Sequence, residues 1–372
     1  MKLLSGVIIL VAIYIFQKLL YRKNWDKELS ATLSFSRSNM ECGERAELLE
    51  VIANNKLLPL PVFHFKFSVD RSLVFDDKAN ASVTDRFHKN EVFSVMGHEK
   101  VTRRMAFQAE KRGIFQVEGA SILVRDFFLT STFAKKVTSD ASIMVFPGKL
   151  RGEAVNECLT GVMGELESKR SIVEDMSFFR GIREYRTTDS FRAINWKASA
   201  RERELMVNMF GWSMDSRVEL LLNLDTDVMV EVDRMLETAI SLTSTIARKL
   251  LERRVSVSLL TNGLDGEGER LPRVEAGAEI SHGITIDESL TRIVGSGKKD
   301  MFLTEVDELW KTSRPEVVYL IVSPYQKPDL LDRMDKARQA GNSIMMIVPY
   351  YNKFGYTHVR DYVKGWEVDF HG

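Results

Sequence analysis

The sequence predicts three parts in series: an N-terminal transmembrane helix, an antiparallel β-sandwich, and an α/β doubly wound domain. An unbroken apolar run opens the chain, a period-two alternation fills the next third, and buried strands then alternate with helical stretches. A chain of 372 residues exceeds one ordinary core, so two to three units are expected. Its 44% hydrophobic and 28% charged residues suit a folded protein. The 52 basic residues balance the 52 acidic ones, which argues against a nucleic-acid or polyanion binder. Two cysteines, Cys42 and Cys158, far apart in sequence, make no disulfide framework or zinc site and suit a reducing compartment.

Residues 1–23 read as the anchor. "LLSGVIILVAIYIFQKLL" (Leu3 to Leu20) carries one charge, Lys18, placed to snorkel to an interface. Eighteen helical residues span about 27 Å, close to a hydrocarbon core. No small-residue cleavage site follows, so a removed signal peptide is disfavoured. Lys18, Arg22, Lys23 and Lys27 outweigh Lys2 and the amino terminus, so the rest of the chain is expected on the cytoplasmic side of a single-pass cell-membrane protein.

Residues 24–150 read as the sandwich. "ATLSFSR", "RAELLEVIANN" and "VFHFKFSV" are rich in β-branched and aromatic residues and are separated by turn-type stretches; "EVFSVMG", "RRMAFQAE", "IFQVEGASILVRD" and "ASIMVFP" repeat the theme. His64, His88 and His98 lack metal-ligand spacing.

Residues 217–372 read as the α/β domain. "RVELLLNLD", "VSVSLLTN", "VVYLIVSP" and "SIMMIVPY" are near-continuous apolar strands. Between them lie a helix over 232–254, with Met235, Leu236, Ala239, Ile240, Ile246, Ala247, Leu250 and Leu251 in one stripe, and a helix "PDLLDRMDKARQA" capped by Gly341. Ligands of such sheets bind beyond the carboxyl ends of strands, where "LDTDVMV" places Asp225, Thr226 and Asp227. These offer a sparse oxygen set for a cation, and capping or turn formation accounts for the aspartates better. "GSGKK" (Gly295 to Lys299) lacks the glycine spacing and the hydroxyl residue of a phosphate loop and reads as a helix stop. No nucleophile elbow or paired-histidine zinc motif is present in the sequence.

Residues 151–216 read as a linker carrying the chemically densest stretch, "GIREYRTTDSFRAINWKASARERELMV" (Gly181 to Val207). Its residues Gly181, Arg183, Tyr185, Asp189, Arg192, Ile194, Trp196, Ser199, Ala200, Arg201, Leu205 and Val207 follow the pattern G-x-R-x-Y-x-x-G-D-x-x-R-x-I-x-W-x-x-S-A-R-x-x-x-L-x-V. Through this motif, "NNKLLPLP", "KRGIFQVEG" and "LDTD…DRMLETAI", the chain resembles the bacterial membrane-anchored proteins of the domain-of-unknown-function-58 family. The resemblance implies a von Willebrand A-like second half and a MoxR-type AAA+ ATPase as partner. Two positions depart from it. Thr188 stands where the family has glycine, and Asp225, Asp227 and Met229 stand where von Willebrand A domains carry an aspartate and two serines. The resemblance therefore implies the fold and not the metal.

Arg183, Arg186, Arg192 and Arg201 can each fork onto a carboxylate or carbonyl, with Glu184, Asp189, Glu202 and Glu204 nearest. Two roles for the motif stay open: an internal ion-pair and tryptophan plug, or a docking surface built on Arg and Trp. The expected function is a membrane-anchored, non-enzymatic adaptor working by protein–protein interaction, with no cofactor, no bound metal and no nucleic acid. The alternative is a metal-dependent adhesion receptor with its domains outside the cell.

Overall fold

The computed structural model describes residues 2–150, 153–170, 174–186, 189, 191–212, 217–226, 232–296, 299–312, 316–350 and 360–368. The chain divides into two compact units, Met1–Gly148 and Lys149–Gly372.

In chain order the first unit holds α1 (Lys2–Asn24), β1 (Leu29–Phe35), β2 (Asn39–Glu41), β3 (Arg45–Asn54), β4 (Leu60–Asp70), β5 (Leu73–Phe75), β6 (Ala81–Val83), β7 (Arg86–Val95), β8 (Glu99–Ala109), β9 (Gly113–Gln116), β10 (Glu118–Arg125), β11 (Thr132–Lys136) and β12 (Ser142–Phe146). Within α1, the stretch Leu4–Asn24 is long and apolar enough to cross a membrane, and little of it is buried. Its apolar side chains from Leu4 to Phe16 are largely exposed, whereas Gln17, Tyr21 and Trp25 are buried. Their spacing of four puts these three on one stripe. Gln17 Nε2 donates to Asp126 Oδ2 at 3.1 Å, the Tyr21 hydroxyl donates to the Pro59 carbonyl at 2.7 Å, and the Trp25 ring stacks on Phe133 at 5.7 Å. The helix is thus seated on the strands that follow it.

Those strands form sheets ordered β1-β3-β8-β5 and β11-β10-β4-β7-β6, with a smaller β2-β12-β9 sheet. The two larger sheets pair antiparallel throughout and share one apolar core, which is the layered arrangement that the alternation predicts. Only β2 runs parallel to its partner, β12. Alternation is cleanest in β3, where Ala46, Leu48, Glu50, Ile52 and Asn54 all point inward. Two of those five are polar. β7 repeats the anomaly, burying Lys89 and Glu91 in line with Phe87. Lys89 Nζ lies 3.0 Å from both Asp77 and Glu91, and Arg103 of β8 pairs with Glu91 while stacking 4.4 Å over the Phe93 ring. An ionic cluster therefore joins the two sheets inside an otherwise aromatic core. Glu50, opposite Arg103 across β3 and β8, has neither carboxylate oxygen hydrogen-bonded. Burial pushes its carboxyl up to about 7; Arg103 opposes that rise and Glu91 adds to it.

The second unit continues with α2 (Glu153–Arg170), β13 (Glu174–Glu184), α3 (Trp196–Glu202), β14 (Met206–Trp212), β15 (Arg217–Leu222), α4 (Val232–Glu252), β16 (Ser256–Thr261), β17 (Gly263–Leu264), β18 (Val274–Gly277), α5 (His282–Thr291), β19 (Gly295–Ser296), α6 (Lys299–Lys311), β20 (Val317–Val322), α7 (Pro328–Gln339), β21 (Ser343–Tyr350) and β22 (Val363–Glu367). A six-stranded sheet runs β18-β16-β15-β20-β21-β22, all parallel except the edge strand β18. Each central strand feeds two cores by strict alternation. Val218, Leu220 and Leu222 of β15 face the core shared with α2, α4 and α5, while Leu221 faces that of α6 and α7. Likewise Val318, Leu320 and Val322 of β20 face the first core and Val317, Tyr319 and Ile321 the second. Helices on both faces explain why these strands read as unbroken apolar runs.

Two expectations need correction. Residues 151–216 are not a linker throughout, because α2 sends Val155, Leu159, Val162 and Leu166 into the α/β core. Its sparse apolar stripe reads as connector until the neighbouring α4 is in place. "GSGKK" is not simply a helix stop. Gly295 and Ser296 form β19, which pairs antiparallel with β17, and Lys299 opens α6. The glycine at 341 closes α7 at φ +95°, as expected of a cap.

Glu50 makes stability depend on pH. Its unfolded carboxyl titrates near 4.5 and its folded one near 7, so the folded chain retains a proton that the unfolded chain sheds. The contribution of Glu50 to stability is greatest below about pH 4.5 and falls as the pH rises toward 7. Glu50→Gln removes this component. Thermal unfolding of the detergent-solubilised chain should show the variant more stable than the parent above pH 7, by roughly 3 kcal/mol at most, and the difference vanishing below pH 4.5.

Candidate functional site

The motif folds as a hairpin closed by a short helix. β13 and β14 pair antiparallel with Arg183 opposite Val207 and Glu184 opposite Met206. The chain between them turns through a 3-10 segment, Phe191–Ala193, and then α3. Ile194 bridges to Val207, and both are buried.

Arg183 forks onto Asp189, with Nη1 to Oδ2 at 2.6 Å and Nη2 to Oδ1 at 2.7 Å. The Arg186 backbone N–H donates to the same carboxylate at 2.8 Å, and the Asp189 N–H returns a bond to the Arg186 carbonyl at 2.8 Å. The Arg183 fork and then the Arg186 amide hold the Asp189 carboxyl down to about 2. This clamp is fully ionised at neutral pH, and its contribution persists until the pH drops below 3.8 toward 2. It closes the loop that contains Thr188, which itself lies outside the described residues.

A second set of bonds fixes α3. Asn195 caps the helix by accepting the Ala198 N–H at 2.9 Å, donates its Nδ2 to Asn208 Oδ1 at 2.7 Å, and donates its backbone N–H to the Met206 carbonyl at 2.8 Å. The Ser199 hydroxyl donates to the Asn195 carbonyl at 2.8 Å and accepts the Met206 N–H at 2.8 Å. The helix is therefore tied through its N-cap and its middle to the first residue of β14. Sequence reasoning singled out Ser199 and missed Asn195 and Asn208. An asparagine directly before "WKASARE" is an N-cap signal that could have identified the first.

Of the four arginines expected to fork, Arg183 does so. Arg186 and Arg201 are exposed, as is Glu184, and the side chain of Arg192 lies outside the described set. Tyr185 is half-buried, its ring 5.7 Å from that of Phe191. Trp196 is 68% exposed and Phe191 72% exposed, so the tryptophan plugs nothing; it opens α3 with its ring in the open. The plug reading expects an ion pair and a tryptophan fixing this segment to the α/β sheet; the ion pair seen joins two residues of the motif itself, with its arginine partly exposed, and the tryptophan is at the surface.

At the carboxyl ends of the central strands, amides and a hydroxyl satisfy one another. Asn223 Nδ2 donates to Ser323 Oγ at 3.1 Å, and Asn262 Nδ2 donates to Asn223 Oδ1 at 2.9 Å. Asn262 Oδ1 takes the Leu224 N–H at 2.9 Å, and Asn223 Oδ1 takes the Asp225 N–H at 3.1 Å. All three side chains are buried, which stitches β15, β16 and β20 together where an α/β crevice opens. Asp225 follows directly on this network, and Asp227 and Met229 lie outside the described residues. Among the described residues, no three His, Cys, Asp or Glu side chains are grouped to hold a metal ion. Tyr325, two residues beyond Ser323, donates its hydroxyl to Asp329 at 2.8 Å.

Residues 181–348 match the family described as "Protein of unknown function DUF58", a span that starts at the first glycine of the motif and ends in β21. No curated protein matches the chain. Among solved structures, the chain is similar over 32% of its length to the CARDB domain of the PF1109 protein from Pyrococcus furiosus, covering 90% of that chain at 11% identity and a TM-score of 0.22. It is similar over 35% of its length to a non-cellulosomal cohesin from Archaeoglobus fulgidus, covering 97% of that chain at 12% identity and a TM-score of 0.23. The sporulation control protein Spo0M from Bacillus subtilis matches over 42% of this chain and 58% of its own, at 10% identity and a TM-score of 0.19.

Two substitutions separate the two sets of bonds. Asp189→Ala should speed amide hydrogen exchange at Arg186 severalfold and leave Met206 protected. Ser199→Ala should do the reverse. Exchange read residue by residue checks both, with the amides of β20 and β21 unchanged in either variant.

Proposed function

We propose that the protein is a membrane-anchored, non-enzymatic adaptor, and that the hairpin of the second unit is its docking surface. The observation that carries this reading is the exposure of Phe191 and Trp196 on a frame whose own polar groups are bonded internally. Exposed aromatics on a rigid support cost water contact in the free protein and lose little conformational freedom on binding, which is how interface anchors are built. Arg186, Lys197, Arg201 and Arg203 surround them with exposed cations, and Glu184, Glu202 and Glu204 with exposed anions, a mixed rim suited to another protein.

The von Willebrand A-like reading of the second unit draws support from the strand order and from the antiparallel edge strand β18. In that reading, the amide network at the strand ends favours an adaptor over a metal-dependent receptor. The partner we favour is a MoxR-type AAA+ ATPase, which would supply the energy of an assembly or maturation step. Lys18, Arg22, Lys23 and Lys27 on the sandwich side of the apolar run support a cytoplasmic placement.

Chemical crosslinking in native membranes, followed by mass spectrometry, tests the reading. The parent chain should crosslink to an AAA+ ATPase. Phe191→Ala and Trp196→Ala should each lose that product at unchanged abundance and unfolding temperature. The loss of a central aromatic anchor corresponds to at least about 2 kcal/mol, or roughly thirtyfold in affinity. A parent chain that captures no ATPase, or variants that crosslink as it does, would overturn the proposal.

A further inference from the structure

The end of the first unit that receives α1 is also the end that leaves apolar side chains in the open. There β4 begins and β7 ends, with Leu60 opposite Val95, and there β10 ends, with Arg125 opposite Val62. The loops at this end carry Leu57, Met96 and the run Phe127-Phe128-Leu129, all exposed, Leu57 to 81% and Phe127 to 63%. The other large apolar side chains exposed on the strands of this unit, Val83 of β6, Val92 of β7 and Ile114 of β9, stand singly.

The loop bearing the phenylalanines is built around a buried acid. Asp126 Oδ1 accepts the N–H groups of Thr130 at 2.6 Å and Ser131 at 3.1 Å. Its Oδ2 accepts the Thr130 hydroxyl at 2.9 Å and Gln17 Nε2 at 3.1 Å. The Asp126 carbonyl accepts the Leu129 N–H at 2.9 Å, and Leu129 sits at φ +59°, a conformation costly for a residue with a side chain. The polar atoms of the loop are thus turned inward onto α1, and its apolar side chains outward.

The depth of the loop follows from its neighbours. The Phe128 ring lies 6.2 Å from that of Tyr14, and Tyr14 precedes the end of α1 at Asn24 by ten residues, about 15 Å of helix. The loop tip therefore runs beside the apolar part of α1 rather than past its end. Exposed Arg22, Lys23, Arg125 and Lys136 lie on the adjoining helix and strands. Aromatic and aliphatic side chains at the level of an apolar helix, with cations behind them, match the chemistry of a lipid leaflet and its anionic headgroups.

We propose that the loop Asp126–Ser131 is a second membrane element, an apolar wedge that sits in the leaflet beside α1, with Leu57 and Met96 against the same lipid surface. The proposal rests on the reading of α1 as a membrane span. Two points of attachment would fix the tilt of the sandwich at the bilayer, which a single helix cannot do.

The test uses the full chain in vesicles of three parts phosphatidylcholine to one part phosphatidylglycerol. Nitroxide labels are placed one at a time at F128C, I9C and V83C, with Cys42 and Cys158 replaced by serine. Each label is read for collision with oxygen, which concentrates in hydrocarbon, and with a water-soluble nickel chelate. The wedge predicts that positions 128 and 9 are oxygen-rich and shielded from nickel, and position 83 the opposite, with ratios severalfold apart. Lipid-like readings at 9 with water-like readings at 128 would sink the wedge and leave the anchor standing. Water-like readings at 9 would sink both. A label at 128 shielded from both reagents would mean that protein, not lipid, covers the loop, and would also overturn the proposal.

Discussion

The arrangement of the first unit depends on one junction, where an apolar helix stops being apolar all round. Gln17, Tyr21 and Trp25 turn a single stripe of α1 into a seat for β-structure, by a hydrogen bond to buried Asp126, a hydrogen bond to the Pro59 carbonyl and a stacked ring. Asp126 serves two structures at once, because the carboxylate that receives Gln17 also closes the loop bearing Phe127 and Phe128. A carboxylate buried in this way is tolerable only with its acceptor sites filled, so helix position and loop shape are set together.

The second unit solves a different problem. Its central parallel strands are covered on both faces and are largely apolar, with Glu219 of β15 buried against Arg217 and Arg273. Two of its polar groupings bear on the candidate site. One is the amide network of Asn223, Asn262 and Ser323, which consumes its own donors and acceptors at the strand ends. The other is the hairpin of β13 and β14, where Asp189, Asn195 and Ser199 spend nearly all their bonds on holding the backbone and leave two aromatic rings to the solvent.

Much of the fold was legible because burial imposes a period. The alternation in β3, the stripe of α4 and the unbroken runs of β15, β20 and β21 follow from which faces are covered. The same logic concealed other features. Glu50, Lys89 and Glu91 occupy inward positions that a pattern reader assigns to apolar residues; Lys89 is held by Asp77 and Glu91, Glu91 by Arg103 of the facing sheet, and Glu50 by burial in its protonated form. α2 looked like connector because its stripe is weak, and its burial depends on α4 and the sheet beneath it. In the candidate site, Arg183 and Asp189 were visible as charges, but their pairing with each other was not. Asn195 drew no notice, although it caps α3, bonds Asn208 and donates its N–H to the Met206 carbonyl.

The amino-acid sequence by itself determined the apolar helix, the sequence of β and α/β parts, and the motif at which the match to a known family begins, since each depends on local composition and periodicity. Tertiary structure alone decided which side of α1 is seated, that Trp196 faces outward, that Phe128 reaches the level of Tyr14, and that Glu50 is enclosed beside Glu91. Those outcomes turn on which groups meet across long separations in the chain, and the burial and pairing that follow from such meetings are not a property of any single stretch of residues.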